Sequence, residues 1–507
     1  MDKKTTQAEI NRILWEACDT FRGKIDSSIY KDYILVMLFV KYLSDTYKEN
    51  LEKHTERYQG NKERIKRALA RERFVVSKKS TFDYLYSKRN VPEVGTEINK
   101  VLEKLEEDNP GKLRNVFRNI DFNSEVVLGQ TRDRNAMLRT LLEDFAKLDL
   151  RPSMIGVEDI IGNSYQFMIE KFASDAGKKG GEFFTPSMVS ELLARLVKPK
   201  ENDRIYDPTA GSGSLLIKVV NQVPGRKVAV YGQERNGQTH SLCKMNMFLH
   251  KIDDAKIEWG DTLANPLHLD NGKLMKFQVV VANPPFSLDK WAMGFAGDND
   301  DKFKMEASLD PHGRFEWGVP PKSRGDYAFV QHMLYSLAED GRMGVILPHG
   351  VLFRGASERR IRKQIIDLNL LDAVIGLPES LFYGTGIPAC IMIFKKSRTR
   401  KDVLFLDASG EGNYKKGKNQ NRLREEDIEK IVKTYENYET IDKYSYVAAY
   451  EEIKENDYNL NIPRYVDTFE EEEPVDMEEV ANKIRNIKNE INKVEEEMKR
   501  YLEELGL

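Results

Sequence analysis

Apolar positions fall into three textures along the chain. Over the first ~150 residues they recur at helical spacing with no alternation of period two, so "YKDYILVMLFVKYLSDTYKENLEK" and the basic "NKERIKRALARERF" read as helices. From about residue 160 to 410, short apolar runs alternate with helical patterns. Strands are predicted in "DRIYDP", "KVAVYGQE", "AKIEWGD", "FQVVVANPP", "RMGVILP", "LDAVIGLP", "ACIMIFKK" and, last, "DVLFLDAS", with helices over 237–250 and 327–339. That alternation predicts an α/β fold with a mostly parallel, doubly wound sheet. After a charged stretch near 411–440, a heptad seam closes the chain: Met477, Val480, Ile484, Ile487, Ile491, Val494, Met498, Tyr501 and Leu505. Asp476 as N-cap with Glu479 three residues later would start it. Such a stripe needs cover, from a partner helix or from its own protein.

These textures divide the chain into a helical domain (1–155), an α/β domain (156–410), a connecting segment (411–475) and the heptad helix (476–507). At 507 residues the chain exceeds what one core organises. The run "YILVMLFVKYL" is too short and interrupted to span a bilayer, and no signal peptide precedes it. Cys18, Cys243 and Cys390 fit neither a metal site nor a disulfide framework, so a reducing cytoplasm is expected and no metal. The net charge of −3 gives no bulk attraction to nucleic acid, which local basic patches or a partner must then supply. The basic segment near residue 65 and "RGASERRIRK" (354–363) are candidates for phosphate contact, with solvated helix faces as the alternative.

Candidate chemistry sits at predicted strand ends. "DPTAGSGSLL" follows one strand and opens a helix, where small residues let backbone pass close to a ligand. It lacks the third glycine of a dinucleotide fingerprint. The next strand ends in Glu234, placed to accept hydrogen bonds from ribose hydroxyls, and the following one in "GDTL", where Asp261 could take an adenine amino group. Helix capping explains each acid singly but accounts poorly for three in series.

"NPPF" ends a strand of valines with a rigid polar step. A purine's exocyclic amine is a poor nucleophile because its lone pair is delocalised into the ring. Two acceptors beside its hydrogens favour the localised form. Asn283 offers a side-chain carbonyl, Pro284 a backbone carbonyl in a conformation limited by proline, and Phe286 a ring for stacking. A simple turn after a strand is the alternative.

With "GGEFFTPSMVSELL" (180–193) ahead of them, "DPTAGSGS", "GQE", "GDTL" and "NPPF" resemble, in order, the motifs of amino-methylating DNA methyltransferases in their gamma arrangement. The whole chain is similar to modification (M) subunits of type I restriction-modification systems. Further family-like stretches are "GRMGVILPHGVLFRG", "GLPESLFYGTGIPACIMIFKK" and "YNLNIPRY". The resemblance implies a Rossmann-like methyltransferase sheet, S-adenosyl-L-methionine as cofactor and N6-adenine methylation of double-stranded DNA. It places Glu182, Phe183, Phe184, Thr185, Pro186 and Ser187 beside the methionine end of the cofactor. Asp207, Pro208, Thr209, Ala210, Gly211, Ser212, Gly213 and Ser214 would wrap methionine and ribose. Glu234 would hold the ribose, Asp261 and Thr262 the adenine. Asn283, Pro284, Pro285 and Phe286 would form the catalytic step, with Asn283 also at the cofactor. Similar motifs serve glutamine methyltransferases that modify proteins, an alternative that the "FFTP" motif and the chain length count against.

A paired adenine must be flipped out to reach such a pocket. Too little chain follows "IMIFKKS" for a recognition domain. The long loop over 287–324, with Trp291, Phe295, Phe303, Phe315 and Trp317, is expected to be a DNA-facing or cofactor-facing flap that orders on binding, or else disordered. Sequence reading is therefore expected from a specificity (S) subunit docked on the heptad helix. The family adds a second M subunit in an M2S1 assembly, and a restriction (R) subunit can join. A self-sufficient methyltransferase and a scaffold without catalysis remain as alternatives.

Overall fold

The computed structural model describes residues 4–156, 159–175, 184–295, 304–418, 420–467 and 477–504. Its main sheet has nine strands: β1 (Arg204–Asp207), β2 (Ala229–Glu234), β3 (Lys256–Trp259), β4 (Phe277–Ala282), β5 (Leu337–Pro348), β6 (Leu371–Gly376), β7 (Ala389–Lys395), β8 (Val403–Asp407) and β9 (Ser445–Ala448). Their order is β9-β8-β6-β7-β5-β4-β1-β2-β3. Pairs β3–β2, β2–β1, β1–β4, β4–β5 and β6–β8 are parallel. β7 runs antiparallel to both β5 and β6, and β9 antiparallel to β8. The strand order switches at β1, with β2 on one side of it and β4 on the other, which opens a crevice at their carboxyl ends. The valines of β4 are completely buried, as a strand covered on both faces requires.

All eight predicted strands form. β9, within the segment read as a connection, adds a ninth. The helix expected over 327–339 is shorter, Asp326–Tyr335, because the chain enters β5 at Leu337 and pairs with Phe277.

The N-terminal region is helical, led by Ser27–Arg57, whose residues from Tyr30 to Asp45 are all buried. Its core continues into the α/β region: Leu242, Met245, Phe248 and Leu249, from helix Gly237–Leu249, belong to the same apolar cluster. Phe248 packs against Phe39 and Phe74, and Arg73 binds Asp253 and the Phe248 carbonyl. The helical region thereby backs the helix that follows β2.

The final helix, Met477–Glu504, belongs to a separate compact unit. Ile484, Ile487, Ile491, Val494, Met498 and Tyr501 are each at least half exposed along it. Asp476 and Leu505 lie outside the described residues, as do the side chains of Met477, Glu479 and Val480. No described helix is long and apolar enough to cross a membrane.

Candidate active site

The carboxyl ends of β1, β2, β3 and β4 converge on one cavity of about 400 Å³ lined by Pro208, Thr209, Glu234, Arg235, Asn236, Thr239, Gly260, Asp261, Thr262, Leu263, Asn283, Pro285, Leu288 and Phe329. A smaller space of about 20 Å³ lies among Phe184, Thr185, Asp207, Thr209, Ala210, Gly211, Ser212, Ser214, Leu215 and Asn283. Thr209 and Asn283 border both. The structure thus gathers Phe184, Thr185, the glycine loop, Glu234, Asp261, Thr262 and the end of β4 around connected space. Pro186 precedes helix Ser187–Val197, and neither it nor Ser187 lines these cavities. Glu182 and Phe183 lie outside the described residues.

The glycine loop is held from three sides. The Ala210 N–H donates to the Gln233 carbonyl at 3.0 Å, and the Gly211 N–H to Glu234 Oε2 at 2.9 Å. Asn246 Nδ2 donates to the Ser212 carbonyl at 2.8 Å. Gly213 has φ of +78°, and a Cβ there would meet Met247 Cε at 2.4 Å and Cys243 Sγ at 2.8 Å. Glycine at 213 thus answers to close packing on helix Gly237–Leu249. The Thr262 hydroxyl donates to the Pro208 carbonyl at 2.7 Å, tying the loop after β3 to the glycine loop.

Each predicted acid also stabilises a turn. Glu234 Oε1 accepts the Asn236 N–H at 2.7 Å; Asp261 Oδ1 accepts the Leu263 and Ala264 N–H groups at 2.9 and 3.1 Å, and its Oδ2 faces Arg235 at 3.3 Å. Asp207 accepts the Thr209 N–H at 2.9 Å. Burial pushes the Asp207 carboxyl up to about 7, opposed by the Thr209 N–H and reinforced by the charge of Glu234. Glu234 is raised from the usual carboxylate range by burial as well. Glu234 thus stands in the cavity walled by Leu263, Leu288 and Phe329, while Asp207 lines the smaller space beside it. This combination suits a ligand with a cationic group, hydroxyls and a flat ring.

At the end of β4, Asn283 Nδ2 donates to Thr185 Oγ1 at 3.0 Å, while Asn283 Oδ1 is buried and has no partner. Burying an acceptor unpaired is costly, and such atoms mark sites where a ligand supplies the missing donor. Pro284 is buried, and the Phe286 ring stands edge-on to Phe382 at 5.7 Å. Phe382 came from a distant loop, and Thr185 was assigned to the cofactor only, so neither contact was legible beforehand. Leu288 and Phe329 were also missed. Asn236 was readable as the N-cap of the helix after β2, its side chain accepting the Thr239 N–H.

The loop after the Asn-Pro-Pro-Phe corner differs from the expected flap over its described part. Trp291, Phe295 and Phe315 are buried in a small core with Leu263, Ala328 and Phe329 rather than displayed. Phe303 lies outside the described residues, and Trp317 packs against Tyr335. The stretch 354–363 differs too. Arg354 binds Asp326, Arg362 is buried on the Tyr458 and Val351 carbonyls, and Arg359 pairs with Asp457. Internal partners take these cations, which reduces what they can offer a phosphate. Among the described residues no group of three His, Cys, Asp or Glu side chains could hold a metal ion.

A mostly parallel sheet carrying acids at successive strand ends, a glycine loop and an Asn-Pro-Pro-Phe corner defines a methyltransferase architecture. Residues 156–474 match the N-6 DNA Methylase family and residues 10–145 the HsdM N-terminal domain. The Type I restriction enzyme MpnII methylase subunit of Mycoplasma pneumoniae is 32% identical over 98% of this chain and 98% of its own length. The MjaVIII methylase subunit of Methanocaldococcus jannaschii is 32% identical over 99% of this chain and 86% of its own. A crystal structure of a type I restriction-modification methyltransferase subunit from Streptococcus thermophilus superposes with a TM-score of 0.77 at 34% identity, covering 91% of this chain and 100% of that one. The chain belongs to the N-6 DNA methylases, within the methylase subunits of type I restriction-modification systems.

Proposed function

We propose that this chain transfers a methyl group from S-adenosyl-L-methionine to the N6 amine of adenine in double-stranded DNA, as the catalytic M subunit of a type I complex. The observation that carries the reading is the buried, unpartnered Asn283 Oδ1 at the border of both cavities. Thr185 engages the amide nitrogen and so leaves the oxygen as the unpaired end of the side chain. An amine donating a hydrogen there would satisfy the orphan acceptor. With the Pro284 carbonyl as second acceptor, its lone pair would be localised for attack. The Phe286 ring offers a stacking face to a flipped base.

The cavity residues fit the cofactor. Glu234 would take ribose hydroxyls, Asp207 would face the cationic methionine end, and Leu263, Leu288 and Phe329 would enclose the adenine ring. When bound, S-adenosylmethionine supplies an electrophilic methyl group on a sulfonium. The chain's own residues hold the acceptor amine and limit its freedom, which is where positioning lowers a barrier.

The exposed stripe from Ile484 to Tyr501 supports docking of an S subunit on the last helix, with a second M subunit and an R subunit completing the assembly. Its apolar side chains alternate with charged ones at coiled-coil spacing. Co-expression with the S partner, followed by labelled methyl transfer, tests the reading. Label is expected on DNA adenine and lost in Asn283→Ala. Label on protein glutamine would refute it.

A further inference from the structure

We propose that Asp326 is a positioning residue for this reaction: its buried carboxylate, backed by Arg354, holds Ser287 in the left-handed backbone region and so fixes the Asn-Pro-Pro-Phe corner. The inference rests on the function proposed above and concerns the residue directly after Phe286. Ser287 has φ of +49°, a conformation that a residue with a Cβ adopts at a cost. No glycine stands there to make the turn free. The turn is held instead by a carboxylate thirty-nine residues away in sequence.

Asp326 is the first residue of helix Asp326–Tyr335 and is completely buried. Its Oδ1 accepts the Ser287 N–H at 2.8 Å and its Oδ2 the Ser287 hydroxyl at 3.3 Å. Arg354 closes the triangle, donating to Asp326 Oδ2 at 2.9 Å and to the Ser287 hydroxyl at 3.2 Å. Arg354 also stands 3.6 Å from the buried Glu358, which keeps the cation facing inward. A buried carboxylate with a cation and two donors is a strong, directional anchor. One turn further along the same helix, Phe329 lines the large cavity, and so does Leu288, whose carbonyl accepts the Gly325 N–H at 3.0 Å. One helix therefore sets both the wall of the cofactor space and the end of the acceptor corner. A register of this kind fixes the distance between donor and acceptor groups.

The test uses the full complex with its S partner, cofactor and target DNA, under single-turnover conditions. Asp326→Asn is expected to slow methyl transfer about 10–100-fold, the scale of a small misplacement at a reacting centre, with cofactor affinity unchanged. Glycine takes positive φ unaided, so adding Ser287→Gly to Asp326→Asn is expected to restore most of the rate. A purely structural loss would not be repaired by removing a side chain at 287. Failure of that rescue, or a parallel fall in cofactor affinity, overturns the proposal. If Asp326→Asn fails to assemble, Arg354→Gln decides. A loss recovered by Ser287→Gly supports the role of the anchor, and an unchanged or unrecovered rate overturns it. A parent complex that leaves adenine unmethylated removes the underlying reading, and this proposal with it.

Discussion

Arg314 and Asp310 form an ion pair from which water is wholly excluded, with Nη2 2.7 Å from Oδ1. The same guanidinium donates to the Thr262 and Leu263 carbonyls at 3.2 and 2.6 Å and to His332 Nδ1 at 3.0 Å. His332 Nε2 then faces the Tyr206 hydroxyl at 3.1 Å, and burial beside Arg314 holds the imidazole neutral. The loop after β4 is thus locked to the loop after β3. Removing only the cation strands a buried charge. Arg314→Ala is expected to cost about 3–5 kcal/mol in equilibrium denaturation, more than the pair Arg314→Met with Asp310→Leu.

Asp207 gives the site a pH dependence. Its folded pKa of about 7 lies above its ordinary 3.8. The stability it contributes is fully present below the ordinary value and is lost as pH rises through about 7. Asp207→Asn is therefore expected to remove part of the decline in stability across that window. A cationic ligand stabilises the ionised form, so cofactor binding near pH 6.5 should release protons. Calorimetry in buffers of different ionisation enthalpy would show the release in the parent and its loss in Asp207→Asn.

Thr185→Val keeps the shape of the side chain but deletes the oxygen that engages Asn283 Nδ2. The amide then loses its fixed orientation, and a hydrogen bond of this kind contributes about 1 kcal/mol. Methyl transfer is expected to fall roughly five- to tenfold, with Thr185→Ser close to the parent. Equal rates for Val and Thr at 185 would sever the link between the two residues.

Gly213→Ala combines a disfavoured positive φ with overlap against Met247 and Cys243. Destabilisation of about 2–4 kcal/mol is expected, read as a lowered urea midpoint, along with weaker cofactor binding as the loop shifts.

Charges placed on the exposed stripe of the last helix should separate assembly from ligand binding. Ile487→Glu with Ile491→Glu is expected to abolish co-purification with the S partner while cofactor affinity persists. Retained assembly would locate the docking surface elsewhere.

Much of this architecture was legible because β-strands announce themselves locally. The valines of β4 and the apolar runs of β5 to β8 are short, dense and bounded by turn residues, and each forms a strand, β5 starting earlier than its run at Leu337. The placement of Asp207, Glu234 and Asn283 at strand ends was legible for the same reason, since position along a strand is a local property. What escaped was contact between distant segments. Leu288 and Phe329 become cavity walls only because helix Asp326–Tyr335 and the preceding loop fold back over β4. Thr185 meets Asn283 across 98 residues, which no local pattern encodes. β9 was hidden because "SYVA" is a short edge strand that draws its identity from pairing with β8.

The apolar cluster joining Phe39 and Phe74 to Phe248 carries a consequence for biosynthesis. Helix Ser27–Arg57 leaves the ribosome with an apolar run from Tyr33 to Val40 that the folded chain buries, and the last part of its cover, from helix Gly237–Leu249, arrives about two hundred residues later, roughly ten to forty seconds at ordinary elongation rates. During that interval the sites on Phe39 and Phe74 that Phe248 later fills stay uncovered. A chaperone that shields this patch early would then raise the share of chains that reach the folded state.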